Sequence, residues 1–359
     1  MKKHKWALGF SACLLAFTVF LSLDTFVLSS AYQADATQMN TAMFESVTSE
    51  KSDEDTQQPE AAAEDAADTT EQPQAETTPQ ENAESSGKKH KARKTSAEEP
   101  VQETSQAPVE SSPAVSADSA DARTYQDENI SVTLTEQTVN GTAVYVADVR
   151  LASAEYLKTA FASDTYGKNV TAKTSTIAAA HDALLAVNGD YYGARERGYV
   201  IRNGVVYRDS ADSADVLCVY ADGTMEIVDP ETVTAQELVE RGVWQAFSFG
   251  PALVEDGSVS VSEGDEVGKA KASNPRTAVG MIDPLHYVFV VSDGRTDESE
   301  GLSLYELAQF MRTLGVETAY NLDGGGSSTM VFQGEVVNNP TTSGNSIKER
   351  GVSDIVYIG

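Results

Sequence analysis

The chain has 359 residues and carries 55 acidic against 26 basic side chains, a formal charge of −29 at pH 7. So acidic a chain argues against nucleic acid as a partner, and two cysteines argue against a disulfide framework. The length beyond the low-complexity stretches is enough for one large packed domain.

Lys2, Lys3 and Lys5 precede an uncharged, mostly apolar span over residues 6–23, followed by Asp24 and a short apolar patch. This pattern is that of a secretory signal or an N-terminal anchor. The basic flank predicts the amino end in the cytoplasm and the rest outside. Ser29-Ser30-Ala31 offers a small-residue cleavage site, but the span is longer than most signal cores. The reading is therefore a single-pass anchor in the cell membrane over residues 1–30 with an extracellular domain beyond it, the alternative being secretion after cleavage. Residues 31–124 are rich in Ala, Glu, Ser, Thr, Gln and Pro and poor in aromatic residues, which predicts an acidic, disordered linker extended by self-repulsion. A basic cluster interrupts it, Lys88-Lys89-His90-Lys91-Ala92-Arg93-Lys94. It is either a solvated charge run or a contact for anionic lipid or wall polymer.

The domain, residues 125–359, opens on alternating strands around Asn140-Gly141, a hairpin signal. A short helix near residues 175–182 precedes Leu184-Leu185-Ala186-Val187-Asn188-Gly189-Asp190, an apolar run delivered into an acidic loop. Further strands are predicted at 199–201, 205–207, 216–220 and 225–228, with turns at Asn203-Gly204 and Asp222-Gly223, and a helix near 235–241. Asn274-Pro275-Arg276-Thr277 then opens a hairpin that returns as Tyr287-Val288-Phe289-Val290-Val291-Ser292-Asp293. Pairing Ile282 with Tyr287 would set Arg276 opposite Asp293, give or take a residue or two of slippage.

Next comes Ser303-Leu304-Tyr305-Glu306, a capping box, then apolar residues at helical spacing closed by Gly315. Glu306 is accounted for by capping. The helix leads into Ala319-Tyr320-Asn321-Leu322-Asp323-Gly324-Gly325-Gly326-Ser327-Ser328. A strand–helix–strand crossover makes its two strands parallel, so Asp293 and Asp323 share the carboxyl edge where ligands bind in such sheets, and Asp190 is expected on the same rim. The fold class expected is α+β: a strand-rich mixed sheet, a few flanking helices and one βαβ unit near the C-terminus.

Three consecutive glycines are costly in chain entropy and belong where backbone lies close to a ligand or takes φ > 0. Glycine-loop N–H groups and the planar fork of Arg276 suit an anion, while carboxylates suit acid–base work or attack at a sugar carbon. Together they fit a phosphorylated sugar. The plainer alternatives are a tight turn and an Arg276–Asp293 salt bridge that ties down the hairpin. Clustered Asp residues also leave a Mg²⁺ or Ca²⁺ site open. Ser327 and Ser328 lack the Gly-x-Ser-x-Gly elbow of a serine hydrolase, and none of the four histidines stands beside a nucleophile motif.

Asn188-Gly189-Asp190-Tyr191-Tyr192, Asn274-Pro275-Arg276-Thr277, Asp293-Gly294-Arg295 and Asn321-Leu322-Asp323-Gly324-Gly325-Gly326-Ser327, in that order, resemble the phosphodiester glycosidase family. The resemblance covers residues 172–359 well and 125–171 weakly. It implies hydrolysis of a glycosyl-1-phosphodiester of the N-acetylglucosamine type, on a cell-envelope glycan, with the phosphate as leaving group. It implies Asp190, Asp293 and Asp323 as catalytic residues without dividing nucleophile, acid and base among them. It implies Asn188, Arg276, Thr277, Gly324, Gly325, Gly326 and Ser327 as substrate-binding residues. Arg350-Gly351-Val352-Ser353-Asp354 departs from the family's usual Arg-Pro-Val-x-Asn, with Asp354 in place of an amide. Arg350 is then either a pocket residue or a surface charge at the start of the last strand. The rival classes are a metal-dependent phosphodiesterase and a non-catalytic module that binds anionic glycan.

Overall fold

The structure is a computed structural model that describes residues 5–26, 28–45, 115–117, 122–265, 273–343 and 346–359. Most of the expected linker, with its basic cluster at residues 88–94, lies outside the described residues. The N-terminal apolar span is a helix, Lys5–Phe26. Among the described residues no helix is long and apolar enough to cross a membrane.

Three antiparallel sheets enclose a shared core. The largest has nine strands. Its centre runs Thr318–Asn321, Arg276–Asp283, His286–Ser292, Thr142–Leu151 and Ile130–Val139. A second sheet of five contains Leu185–Asn188 between Met330–Phe332 and Asp354–Ile358. The third, also of five, contains Val200–Arg202, Val243–Phe247 and Val216–Tyr220. Val132 and Phe289 of the first sheet, Leu185 and Val356 of the second, and Leu217 and Phe247 of the third meet in one apolar cluster.

The alternation of side chains explains why the strand Arg276–Asp283 and its partner read as near-continuous apolar runs. Val279, Met281, Tyr287 and Phe289 enter the shared core, while Ala278, Val288 and Val290 on the opposite face meet the helix Leu304–Thr313 through Leu307, Phe310 and Met311. Both faces are buried, so neither is polar. That helix carries the expected capping box, with Ser303 accepting from Glu306 N and Glu306 accepting from Ser303 N. It ends at Gly315, whose φ of +80° only glycine adopts freely.

The strand–helix–strand unit has the anticipated sense. His286–Ser292 and Thr318–Asn321 are both antiparallel to Arg276–Asp283, which lies between them, and are therefore parallel to each other. Asp293 and Asp323 accordingly leave the sheet at the same edge. The Asn140-Gly141 and Asn203-Gly204 turns have both residues at positive φ, the backbone that matches hairpin twist. The hairpin register differs from expectation by one residue: Arg276 faces Ser292. The cause is an irregularity between Met281 and Asp283, beyond which Asp283 pairs His286, so a constant sum counted from the turn fails along the strand.

Candidate active site

Asp323 follows the strand Thr318–Asn321 into the glycine turn, and two other segments, residues 275–277 and the loop at Gly189, hold that turn. Leu322 N donates to Thr277 O at 2.9 Å, Asp323 N to Gly189 O at 3.2 Å and Gly325 N to Pro275 O at 2.8 Å. The glycines answer to crowding by protein atoms. A Cβ would lie 2.9 Å from Pro275 O at Gly324, 2.7 Å from an Arg295 nitrogen at Gly325 and 2.9 Å from Thr342 Cα at Gly326.

Asn188 and Thr277, both fully buried, staple the loops together. Asn188 Nδ2 donates to Asp323 O at 2.6 Å, and its Oδ1 accepts from Thr277 Oγ1 at 2.8 Å and Thr329 N at 3.3 Å. Arg276 is 3% exposed; its backbone N–H donates to Ser292 Oγ and its Nε to Leu302 O, both at 2.9 Å.

The three aspartates occupy three environments. Asp190, 1% exposed, accepts from Arg202 Nη2 at 2.8 Å, Tyr192 N at 3.2 Å and Ser248 N at 3.0 Å. Arg202 is equally buried and also bonds Asp354 at 2.8 Å, so one guanidinium faces two carboxylates with no water between. Burial pushes the Asp354 carboxyl up against the pull of Arg202. Asp293 accepts from Asn339 N at 2.8 Å, Asn339 Nδ2 at 3.0 Å and Asn338 Nδ2 at 3.3 Å, which fastens the loop after the strand Met330–Phe332.

Asp323 differs from both. Its cation is Arg350, 2.9 Å away and with a side chain 38% exposed. Arg350 also donates to Ser327 Oγ from Nε at 3.0 Å and from Nη2. Burial raises the Asp323 carboxyl above the ordinary aspartate range, while Arg350, Ser327 and the Gly324 N–H hold it down. The Arg350 guanidinium lies over the ring of Tyr191, 5.6 Å from its centroid. Tyr191 is partly exposed and held at φ +63°, a conformation that costs a non-glycine residue energy and is common at functional sites.

Beside Tyr191 and Arg350 opens a cleft of about 310 Å³, also lined by Asn169, Thr171, Gly193 and Ser353. The hydroxyl of Ser353 is buried and has no hydrogen-bond partner. Arg295 lies on another side of the glycine turn and donates to Asn274 Oδ1 and Thr342 O. Burial and the charge of Arg350 lower its proton affinity. Among the described residues no three His, Cys, Asp or Glu side chains group as a cation site. The three aspartates accept from three separate sets of donors.

The structure thus brings Asn188, Thr277, Asp323 and Ser327 together around the glycine turn and sets Asp190 and Asp293 behind it. Arg202, Tyr191 and Arg350 complete the arrangement. Arg202 carried no signal of its own in the sequence, Tyr191 stood within the Asn188–Tyr192 motif without a role assigned to it, and Arg350 stood in the departing segment.

The domain is a strand-rich α+β fold with a cation-bearing polar cleft beside a glycine turn. Residues 181–359 match the family model for phosphodiester glycosidases, and this stretch is a domain of that family. It is 30% identical over 165 residues to the SPbeta prophage-derived uncharacterized protein YomE of Bacillus subtilis, covering 44% of this chain and 25% of that one. It is 33% identical over 120 residues to the mouse N-acetylglucosamine-1-phosphodiester alpha-N-acetylglucosaminidase, covering 32% and 23%. The matched stretches therefore span about a quarter of these relatives' lengths. The solved catalytic domain of the zebrafish enzyme of that name, auto-inhibited by its pro-peptide, superposes with a TM-score of 0.51 at 19% identity, covering 69% of this chain and 88% of that one. This likeness fixes the fold.

Proposed function

We propose that the domain hydrolyses the glycosidic bond of a sugar-1-phosphodiester of the N-acetylglucosamine type, carried on a cell-envelope glycan. The observation that supports this most directly is the Asp323–Arg350–Ser327 cluster, which reaches the cleft through Arg350. A buried carboxylate with raised proton affinity stands there beside a solvent-facing guanidinium, and an exposed aromatic ring covers the guanidinium. The cleft is lined by hydroxyl and amide groups suited to a sugar, and its volume exceeds that of one hexose ring.

In this reading the sugar lies in the cleft against Tyr191 and its phosphodiester meets Arg350, whose planar fork suits phosphate oxygens. Water attacks the anomeric carbon, its oxygen bonds to that carbon, and the bond from carbon to phosphate oxygen breaks. The electron pair leaves with the phosphate monoester, whose developing charge Arg350 stabilises. Asp323 takes the proton of the attacking water. A phosphate needs little protonation to leave, so a single carboxylate beside the cleft-lining Arg350 is enough for the step. Asp190 and Asp293 act by holding the loops on which Asp323 and Arg350 stand. Placement at the envelope is part of the same proposal and rests on the N-terminal basic residues and the apolar span after them.

The test is to incubate the full chain with UDP-N-acetylglucosamine and with N-acetylglucosamine-1-phospho-methyl-mannoside in ¹⁸O water, then weigh the products by mass spectrometry. Label in the free sugar supports glycosidic cleavage. Label in the phosphate would assign the chain to phosphodiesterases, and binding without turnover would assign it to glycan-binding modules.

A further inference from the structure

Residues 28–30 read as the end of the anchor and residues 31–45 as linker, yet these residues are seated on the catalytic domain. Ser30–Gln33 is a strand antiparallel to Tyr166–Lys168, with Ala31 opposite Gly167. A Cβ on Gly167 would stand 2.3 Å from the carbonyl oxygen of Ser30, so this approach requires glycine. Ala36 N then donates to Asp164 O at 2.7 Å and Asn40 N to Asn203 O at 2.9 Å. The Ala36 methyl is buried among Phe161, Tyr166, Tyr192 and Val200. Phe44 meets buried Trp244 edge to face, with centroids 4.9 Å apart. Regular pairing, a buried methyl and an aromatic contact together form an interface whose two sides both belong to this chain.

The seat extends to the cleft. Asn169, on the cleft wall, donates from Nδ2 to Leu28 O at 3.1 Å. Tyr32 lies against Tyr166, which stacks on Tyr192 with centroids 5.2 Å apart and planes 22° apart. Tyr192 directly follows Tyr191, the residue held at positive φ at the lip.

We infer that residues 28–45 are a clamp belonging to the catalytic domain, which fixes the wall of the cleft at Asn169 and its lip at Tyr191. The domain then includes residues 28–45, directly after the N-terminal helix, instead of starting only beyond the linker. Docking of the clamp is independent of the glycosidase reading; only its effect on KM rests on that reading.

The experiment uses the full chain in detergent micelles, with Trp6→Phe so that Trp244 is the sole indole. A specific protease sequence is inserted between Ser86 and Gly87 and cut to completion, as judged on a gel. The N-terminal piece is expected to co-elute with residues 87–359 on size exclusion. Ala36→Arg, which puts a charge into the aromatic seat, is expected to release the piece and shift Trp244 emission to the red. It should also raise KM for the sugar phosphodiester about tenfold with kcat changed less than about twofold, the pattern of lost positioning. Separation of the pieces without the substitution would overturn the proposal, as would their continued co-elution with it. A rise in kcat/KM on release would also overturn it, making the segment an inhibitor. Should neither substrate be turned over, elution and emission still decide the docking.

Discussion

Replacing Asp354 by Asn tests the least expected feature of the interior, the single guanidinium of Arg202 between two carboxylates. Arg202, Asp190 and Asp354 are each 1% exposed, and Asp354 Oδ1 has no hydrogen-bond partner. One positive charge cannot neutralise two buried negative ones, so one carboxyl should keep its proton at a pH where exposed aspartates have lost theirs. Burial, the first cause, and the nearby Asp190 push Asp354 up to about 7 against the pull of Arg202. Between the unfolded aspartate value of about 3.9 and that value the folded state binds the proton more tightly than the unfolded state. Stability due to this group is thus full in acid, falls as pH rises through this interval, and levels off above it. Each tenfold difference in proton affinity is worth about 1.4 kcal/mol, which makes about 4 kcal/mol the upper bound. Asn keeps an acceptor for Arg202 Nε and does not ionise, so Asp354→Asn should gain on the native chain as pH rises from 4 to 7. The assay is urea unfolding of both chains at several pH values, plotting the difference so that other titrating groups cancel. A difference that is flat with pH, or that favours the native chain at pH 8, would refute the protonated-carboxyl account.

Asp323→Asn should lower kcat by about a hundredfold or more while the melting temperature moves little, since Asn can still accept from Arg350; mass-spectrometric turnover and calorimetry check the two halves. Arg350→Ala should cost about 10²–10³-fold in kcat/KM and should also move the acid limb of the pH–rate profile upward. The sign follows because Arg350 lowers a carboxyl that burial raises, and activity that needs ionised Asp323 is lost as pH falls through its folded value. Arg202→Met leaves two buried carboxylates without a cation and should cost about 3–5 kcal/mol, read by urea unfolding at pH 7. Tyr191→Ala removes the ring at the lip and should raise KM several-fold with kcat nearly kept, which steady-state kinetics would show.

The βαβ unit was legible because its signals are local: two apolar runs, a capping box and a closing glycine. The Asn-Gly hairpins were legible for the same reason. Val243–Phe247 escaped because Gln245 breaks its apolar run, although that side chain is fully buried and satisfied by Asn203, Thr159 and the Leu157 carbonyl. Its partners come from other strands, so nothing in the pentapeptide announces them. Arg202 is a similar case. It reads as the polar end of a hairpin strand until Asp190, 12 residues away, and Asp354, 152 residues away, are brought against it. The glycine triplet was legible as a place of close approach. The approaching groups are Pro275, Arg295 and Thr342, so the same chain-entropy cost serves to bring loops together around Asp323.

The recurrence of an apolar run ending in Asp beside Gly invites a reading in which three equal carboxylates share one task, but their counter-charges set them apart. Asp190 is paired with a guanidinium that water does not reach, whereas Asp293 accepts from uncharged N–H groups of Asn338 and Asn339. Asp323 alone is balanced by a cation that stands at the cleft and can turn toward an arriving anion. In the proposed reaction Arg350 engages the phosphate, so its hold on Asp323 weakens and the proton affinity of Asp323 rises, since Arg350 is the principal group lowering it. A carboxylate left partly uncompensated beside the bound substrate is a stronger base than it is in the empty site. Anion binding and base strength are thereby coupled through one guanidinium, and this coupling singles out Asp323 among three residues that the sequence presents alike.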